Sequence, residues 1–148
     1  MENGITFKEV YFSNGQLDYK WQYLNGKRHG EQLGYFSNGQ LGYKHQYLNG
    51  KQNGEQLSYY DNGKLEYKDQ YVNSLKHGEQ LKYYRNGELS YKHQYVRGKR
   101  HGEQLSYFSN GELMRKDYYI NGDEVSEEEW LGYSKPKHQT QFLTDLYV

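Results

Sequence analysis

The stretch YFSNGQLGYKHQYLNGKQNGEQLS, residues 35–58, decides the fold, because the chain repeats it in register. Five units of 24 residues start at Tyr11, Tyr35, Tyr59, Tyr83 and Tyr107 and run without a gap to Trp130. Asn-Gly recurs at 14–15, 38–39, 62–63, 86–87 and 110–111, and Lys at 20, 44, 68, 92 and 116. Gly-Glu-Gln-Leu closes the first four units, at 30–33, 54–57, 78–81 and 102–105. Self-similarity at such a period marks a stack in which each unit buries its faces against its neighbours.

Each unit reads as two strands. Glu31 to Phe36 alternates and is rich in aromatics, which suits a strand. Ser37-Asn38-Gly39 is a hairpin signal, since Asn and Gly tolerate the positive φ such turns need. Leu41 to Tyr47 is the return strand, and a looser Asn49–Gly54 segment leads onward. The expected fold is mostly β: a single-sheet antiparallel meander of about ten strands, with a short helical cap at the C-terminus.

The side chains argue for a register. A three-residue loop at Ser37-Asn38-Gly39, with Gly39 as a bulge, puts Leu33, Tyr35, Leu41, Tyr43, His45 and Tyr47 on one face. Gln32, Lys44 and Gln46, with Phe36 beside the turn, then take the other. A slip of one residue flips every side chain, so the expectation is sharp.

The segments outside the units read as caps. Residues 1–10 supply an edge strand, Phe7 to Phe12, whose Lys8 and Glu9 discourage further pairing. Units fill residues 11–130, and residues 131–148 form a cap or tail. Ser126-Glu127-Glu128-Glu129 is a capping-box pattern that opens a helix. Trp130, Leu131 and Tyr133 then fold onto the last hairpin, and Pro136 ends that piece. Phe142, Leu143, Leu146, Tyr147 and Val148 form a second apolar cluster.

Composition narrows the function. Nineteen Lys and Arg balance nineteen Asp and Glu, so a basic nucleic-acid arm and an acidic tail are both excluded. With no Cys there is no disulfide framework and no thiolate metal site. There is no Ala but 17 Gly and 19 Tyr, which argues against a helical bundle and makes Tyr the main source of apolar surface. Met1 to Val10 has no apolar signal core, and no run approaches the ~18 residues of a membrane span. The expected compartment is the cytosol, of a cell or of an infected host.

Chemical motifs are weak. The six His invite a metal reading, but equivalent columns recur every two strands, about 9.6 Å apart, too far to share an ion held at ~2.1 Å. They read as turn and surface residues, and no metal or cofactor is expected. Glu31, Glu55, Glu79 and Glu103 read as solvated ions near turn lysines such as Lys27 or Lys51. No nucleophile elbow, phosphate loop or dinucleotide fingerprint is present, so no enzyme is expected.

The tyrosines are the candidate site. A single sheet cannot bury a whole aromatic face against itself, and Tyr is enriched at interfaces. The central units, away from the caps, should carry a partner-binding surface at Tyr43, Tyr47, Tyr59, Tyr67, Tyr71, Tyr83, Tyr91 and Tyr95. The expected partner is a protein or a second copy of the chain, with no nucleic acid and no membrane contact.

The pattern Tyr43-x-x-x-Tyr47-x-x-Gly50-x-x-x-Gly54, and Gly26-Lys27-Arg28-His29-Gly30 with its copy at 98–102, resemble the MORN repeat over residues 11–130. MORN units usually carry Trp where Tyr23, Tyr47, Tyr71 and Tyr95 stand, and Gly where Trp21, His45, Asp69 and His93 stand. The chain is therefore similar to the divergent MORN variant of bacteria and large DNA viruses. That resemblance implies a scaffold or oligomerisation platform. It also brings two alternatives: an antitoxin-like protein with a cognate toxin, and a reader of membrane lipid, to which the repeated Tyr and Gln, able to stack on sugars, add carbohydrate.

Overall fold

A computed structural model describes residues 4–135. Eleven strands form one antiparallel sheet in strict sequence order. They are β1 (Ile5–Tyr11), β2 (Leu17–Leu24), β3 (Lys27–Tyr35), β4 (Leu41–Leu48), β5 (Lys51–Tyr59), β6 (Leu65–Val72), β7 (Leu75–Tyr83), β8 (Leu89–Val96), β9 (Lys99–Tyr107), β10 (Leu113–Ile120) and β11 (Asp123–Val125). A helix, α1 (Glu127–Ser134), follows and straddles the unit boundary drawn at residue 130. The meander and the short C-terminal helix are as expected, whereas the edge strand runs Ile5–Tyr11 rather than Phe7 to Phe12.

The Asn-Gly hairpin has the loop expected of it. Phe36 N–H donates to the Gln40 carbonyl and Gly39 N–H to the Phe36 carbonyl, at 2.8 Å each. Gly39 sits at φ +86°, which closes the three-residue loop with a glycine bulge. Asn38 Oδ1 accepts from Gln40 N–H at 3.0 Å, and Asn38 Nδ2 reaches the Asp61 carbonyl of the next hairpin at 3.2 Å. The turn residue thus also ties one unit to the next.

The second connection is tighter than its sequence suggested. Asn49 and Gly50 form a two-residue turn with φ +49° and +85°, both in the left-handed region of a mirror-image hairpin turn. In the third unit the same turn forms with Ser74, at φ +65°, in the glycine position. His29 Nδ1 accepts from the N–H of Asn49, and His77 and His101 do the same for Arg97 and Asn121, at 3.2–3.4 Å. Asn53 fills that role for Asn73 at 3.4 Å. The His of each His-Gly pair is therefore an acceptor that holds the following turn.

The register departs from the expected one. Tyr35 pairs with Leu41, as the loop requires, but Gly34 pairs with Tyr43 and leaves Gly42 with no partner across the ladder. This second bulge is repeated where Asp18, Glu66, Ser90 and Met114 stand. One extra residue turns over the rest of the return strand. Tyr43, His45 and Tyr47 consequently share a face with Gln32 and Gly34. Lys44 and Gln46 share the opposite face with Leu33 and Tyr35. The expected single face of Leu and Tyr does not exist.

A further bulge lies on the other side of the return strands β2, β4, β6 and β8. His45 pairs with Gln56 and Tyr47 with Gln52, so Gln46 has no backbone partner on β5. Its carbonyl accepts instead from Gln56 Nε2 at 2.8 Å. Gln32, Gln80 and Gln104 do the same for Gln22, Gln70 and Gln94, at 2.7–2.9 Å. These four glutamines are 0–4% exposed, more deeply buried than any leucine among the described residues. A buried carbonyl without a donor is costly, and one amide per unit removes that cost.

Candidate functional site: the tyrosine face

Three rows of side chains run across the strands on the face that holds the glutamines. The middle row reads Lys8, Trp21, Gln32, His45, Gln56, Asp69, Gln80, His93, Gln104 and Asp117, each paired with the next. On one side lie Tyr19, Gly34, Tyr43, Ser58, Tyr67, Lys82, Tyr91 and Ser106. On the other lie Tyr47, Tyr71 and Tyr95, opposite Gln52, Lys76 and Arg100. Large rings in the second row alternate with small or flexible residues. The clearest case is Gly34, where any Cβ would meet the Tyr43 ring at 2.0 Å.

Rings stack along the strands. Tyr19 and Trp21 lie 4.1 Å apart, Tyr43 and His45 4.7 Å, and Tyr91 and His93 4.3 Å. Trp21 Nε1 donates to the Tyr43 hydroxyl at 2.9 Å. Burial raises the Tyr43 and Tyr71 hydroxyls, and pushes Tyr91 up to about 12 with help from nearby Asp69. Burial also lowers His45 and, with Arg100 and Lys76 adding to it, brings His93 down to about 4. Around neutral pH these rings are therefore uncharged.

Asp69 differs from Asp117, the other carboxylate of the row. Its Oδ1 is buried with no hydrogen-bond partner, and so are the Oε1 atoms of Gln56 and Gln80 on either side. Burial raises the Asp69 carboxyl, and Lys76 only partly opposes this. Asp117 is ion-paired to Arg115 at 2.6 Å.

The opposite face is built differently. Leu33, Lys44, Leu57, Lys68, Leu81, Lys92, Leu105 and Lys116 alternate in one row across the strands. Each of these lysines holds a carboxylate: Glu31, Glu55, Glu79 and Glu103, at 2.7–3.3 Å. The glutamates thus pair with the strand lysines rather than with turn lysines such as Lys27 or Lys51. Lysine stems cover the flanking leucines while the heads stay in water.

The helix caps this same Leu/Lys face. Ser126 Oγ accepts from Glu129 N–H at 3.2 Å, and Glu129 Oε2 accepts from Ser126 N–H at 2.8 Å, which completes the capping box. Trp130 lies 3.6 Å from the Cβ position at Gly102 and stacks near Tyr118 and Tyr133. Leu131 stays 49% exposed, against the expectation that it packs. Pro136 and the cluster from Phe142 to Val148 lie outside the described residues.

Of the eight tyrosines expected to form one surface, six do. Tyr43, Tyr47, Tyr67, Tyr71, Tyr91 and Tyr95 share the glutamine face. Tyr59 and Tyr83 lie on the Leu/Lys face, paired with Leu65 and Leu89. The glutamine row, Asp69 and the series Arg28, Gln52, Lys76, Arg100 escaped the sequence reading. The signal for the glutamine row was present in the Gln that recurs at the centre of β3, β5, β7 and β9. No helix among the described residues is long and apolar enough to cross a membrane.

The MORN repeat variant family matches the chain at residues 8–25, 28–49, 52–73, 76–97 and 100–121, one match per unit. No curated protein matches it. The chain belongs to the MORN repeat variant family.

Proposed function

We propose that this MORN repeat protein is a non-enzymatic docking module that holds a protein partner on its tyrosine face. The observation that supports this reading is one of asymmetry. Among the described residues, the single helix caps one end of the Leu/Lys face, and no element lies over the rows of Tyr43, Tyr67 and Tyr91 or Tyr47, Tyr71 and Tyr95. These six rings are half-exposed. They offer flat, rigid, uncharged area with a hydroxyl at the tip, which suits contact with protein at low cost in side-chain entropy.

Replacing Tyr67 and Tyr91 together with Ser tests the reading. Both rings lie over no turn, so the fold should persist by circular dichroism. Recovery of the partner that co-purifies with the native chain should fall by about tenfold or more, as for loss of a central aromatic hot spot. Undiminished recovery with a folded double variant would overturn the reading.

A further inference from the structure

The units differ at one point that repeats across the tyrosine face. Between consecutive tyrosines of the third row sits the series Arg28, Gln52, Lys76 and Arg100. The Arg28 guanidinium lies 4.3 Å from the Trp21 ring and 5.4 Å from the Tyr47 ring, with Nη1 donating to the Tyr47 hydroxyl at 3.5 Å. Arg100 lies 5.3 Å from the Tyr119 ring and donates to the Tyr119 hydroxyl at 3.3 Å. Lys76 Nζ is 5.4 Å from the Tyr95 ring. Each of these three cations rests on the tyrosine of the following unit, a favourable contact of a cation with a ring face.

Gln52 is the exception. It is neutral and shorter, and a cleft of about 250 Å³ opens there, lined by His45, Gln56, Asp69 and Tyr71 among others. Shifted by one unit, Trp21, His45 and Tyr47 around Arg28 become His45, Asp69 and Tyr71 around Gln52. The cleft thus keeps a tyrosine at the Tyr47 position, has His45 in place of Trp21, and carries a carboxylate where the Arg28 position has its third ring. Asp69 Oδ1 is buried there without a donor. Arg28 sits close enough to His45 to help lower its pKa, which leaves that wall uncharged.

We propose that the Gln52 cleft receives an arginine side chain of the docked protein, with its guanidinium on the Tyr71 ring and its charge countered by Asp69. This rests on the docking reading above and adds the chemistry of one contact. A guanidinium presents several donors in one plane, and so can pair with the Asp69 carboxylate while stacking on the Tyr71 ring. An ammonium lacks that flat fork. The incoming charge also removes the burden of an unpaired, half-buried carboxylate.

The test is a titration of the folded chain with Nα-acetyl-arginine amide, followed by the ring resonances of Tyr71. The expected result is saturable binding, with the lysine and citrulline analogues weaker by about tenfold. Asp69→Asn should weaken it by about the same factor. Gln52→Arg should abolish it, because the chain then fills its own cleft as Arg28 does, and that variant should melt no lower than the parent. Equal binding of arginine and lysine analogues, or indifference to Asp69→Asn, overturns the proposal. Tighter binding of agmatine than of the acetylated amide would make this a small-molecule site and also overturns it. Absence of saturable binding overturns the cleft assignment but leaves the docking reading standing, since that is decided separately by the Tyr67 and Tyr91 pair.

Discussion

The two faces of this sheet solve the same problem with opposite materials. Neither has a second layer along its length, so each must be sealed by its own side chains. The Leu/Lys face is sealed by lysine stems lying over leucines, with one exposed ion pair per unit. The tyrosine face is sealed by rings lying beside buried glutamines, whose amides complete the backbone at the bulges of Gln22, Gln46, Gln70 and Gln94. In a repeat sheet, then, the deepest residue need not be the most apolar one. It is the one whose polar group the bulged backbone requires.

That contrast can be broken by a matched pair of substitutions. Gln80→Ala removes an amide that donates to the Gln70 and Gly78 carbonyls and opens a void at a site of 0% exposure. It should cost about 3 kcal/mol, the sum of an orphaned carbonyl and lost packing. Leu81→Ala, next door on the other face, should cost about 2 kcal/mol, the low end for a leucine, because Leu81 has no layer above it. Urea denaturation of both variants reads the difference, and a larger loss at Leu81 would reverse the ranking of the faces.

Acid should weaken the tyrosine face. His93 is held near 4 when folded, against an ordinary value of 6.5. Above about pH 6.5 the ring is neutral in both states and its full contribution is present. As pH falls from there towards 4, the unfolded chain takes up a proton that the folded chain refuses, and stability drops. His93→Gln should flatten the stability profile in that window. Asp69 works in the opposite sense: its raised carboxyl favours the folded state at low pH, and that contribution fades as pH rises through the folded value. A His93→Gln profile as steep as the parent's would show that the ring titrates as if in water.

The smallest effect belongs to the other face. Glu79→Gln removes the partner of Lys92, an ion pair with both side chains about two-fifths exposed. Thermal unfolding should register a change within about 0.5 kcal/mol. A loss several times larger would mean that the ion pairs, rather than the lysine stems, seal that surface.

Repeat length, strand order, the Asn38-Gly39 loop and the Ser126 cap were all legible, because each rests on local chemistry that few residue types satisfy. The division of the faces was not. It depends on one extra residue at Gly42, and that column holds Asp18, Glu66, Ser90 and Met114 elsewhere, so no residue type announces the bulge. Without the bulge the loop geometry alone puts Leu33 and Tyr43 together. With it they part, and Tyr59 and Tyr83 leave the candidate surface. The glutamine row could have been seen, since Gln32, Gln56, Gln80 and Gln104 never vary while their neighbours at Gly34, Ser58, Lys82 and Ser106 do. An unvarying polar residue in mid-strand signals a backbone group that needs it.

Chemical footprinting of tyrosine, read by mass spectrometry with and without the bound partner, examines the docking face most directly. Protection should fall on Tyr43, Tyr67, Tyr71 and Tyr91, while Tyr59 and Tyr83 react as in the free chain. Protection of Tyr59 and Tyr83 with the other four left reactive would place the partner on the Leu/Lys face and contradict the account.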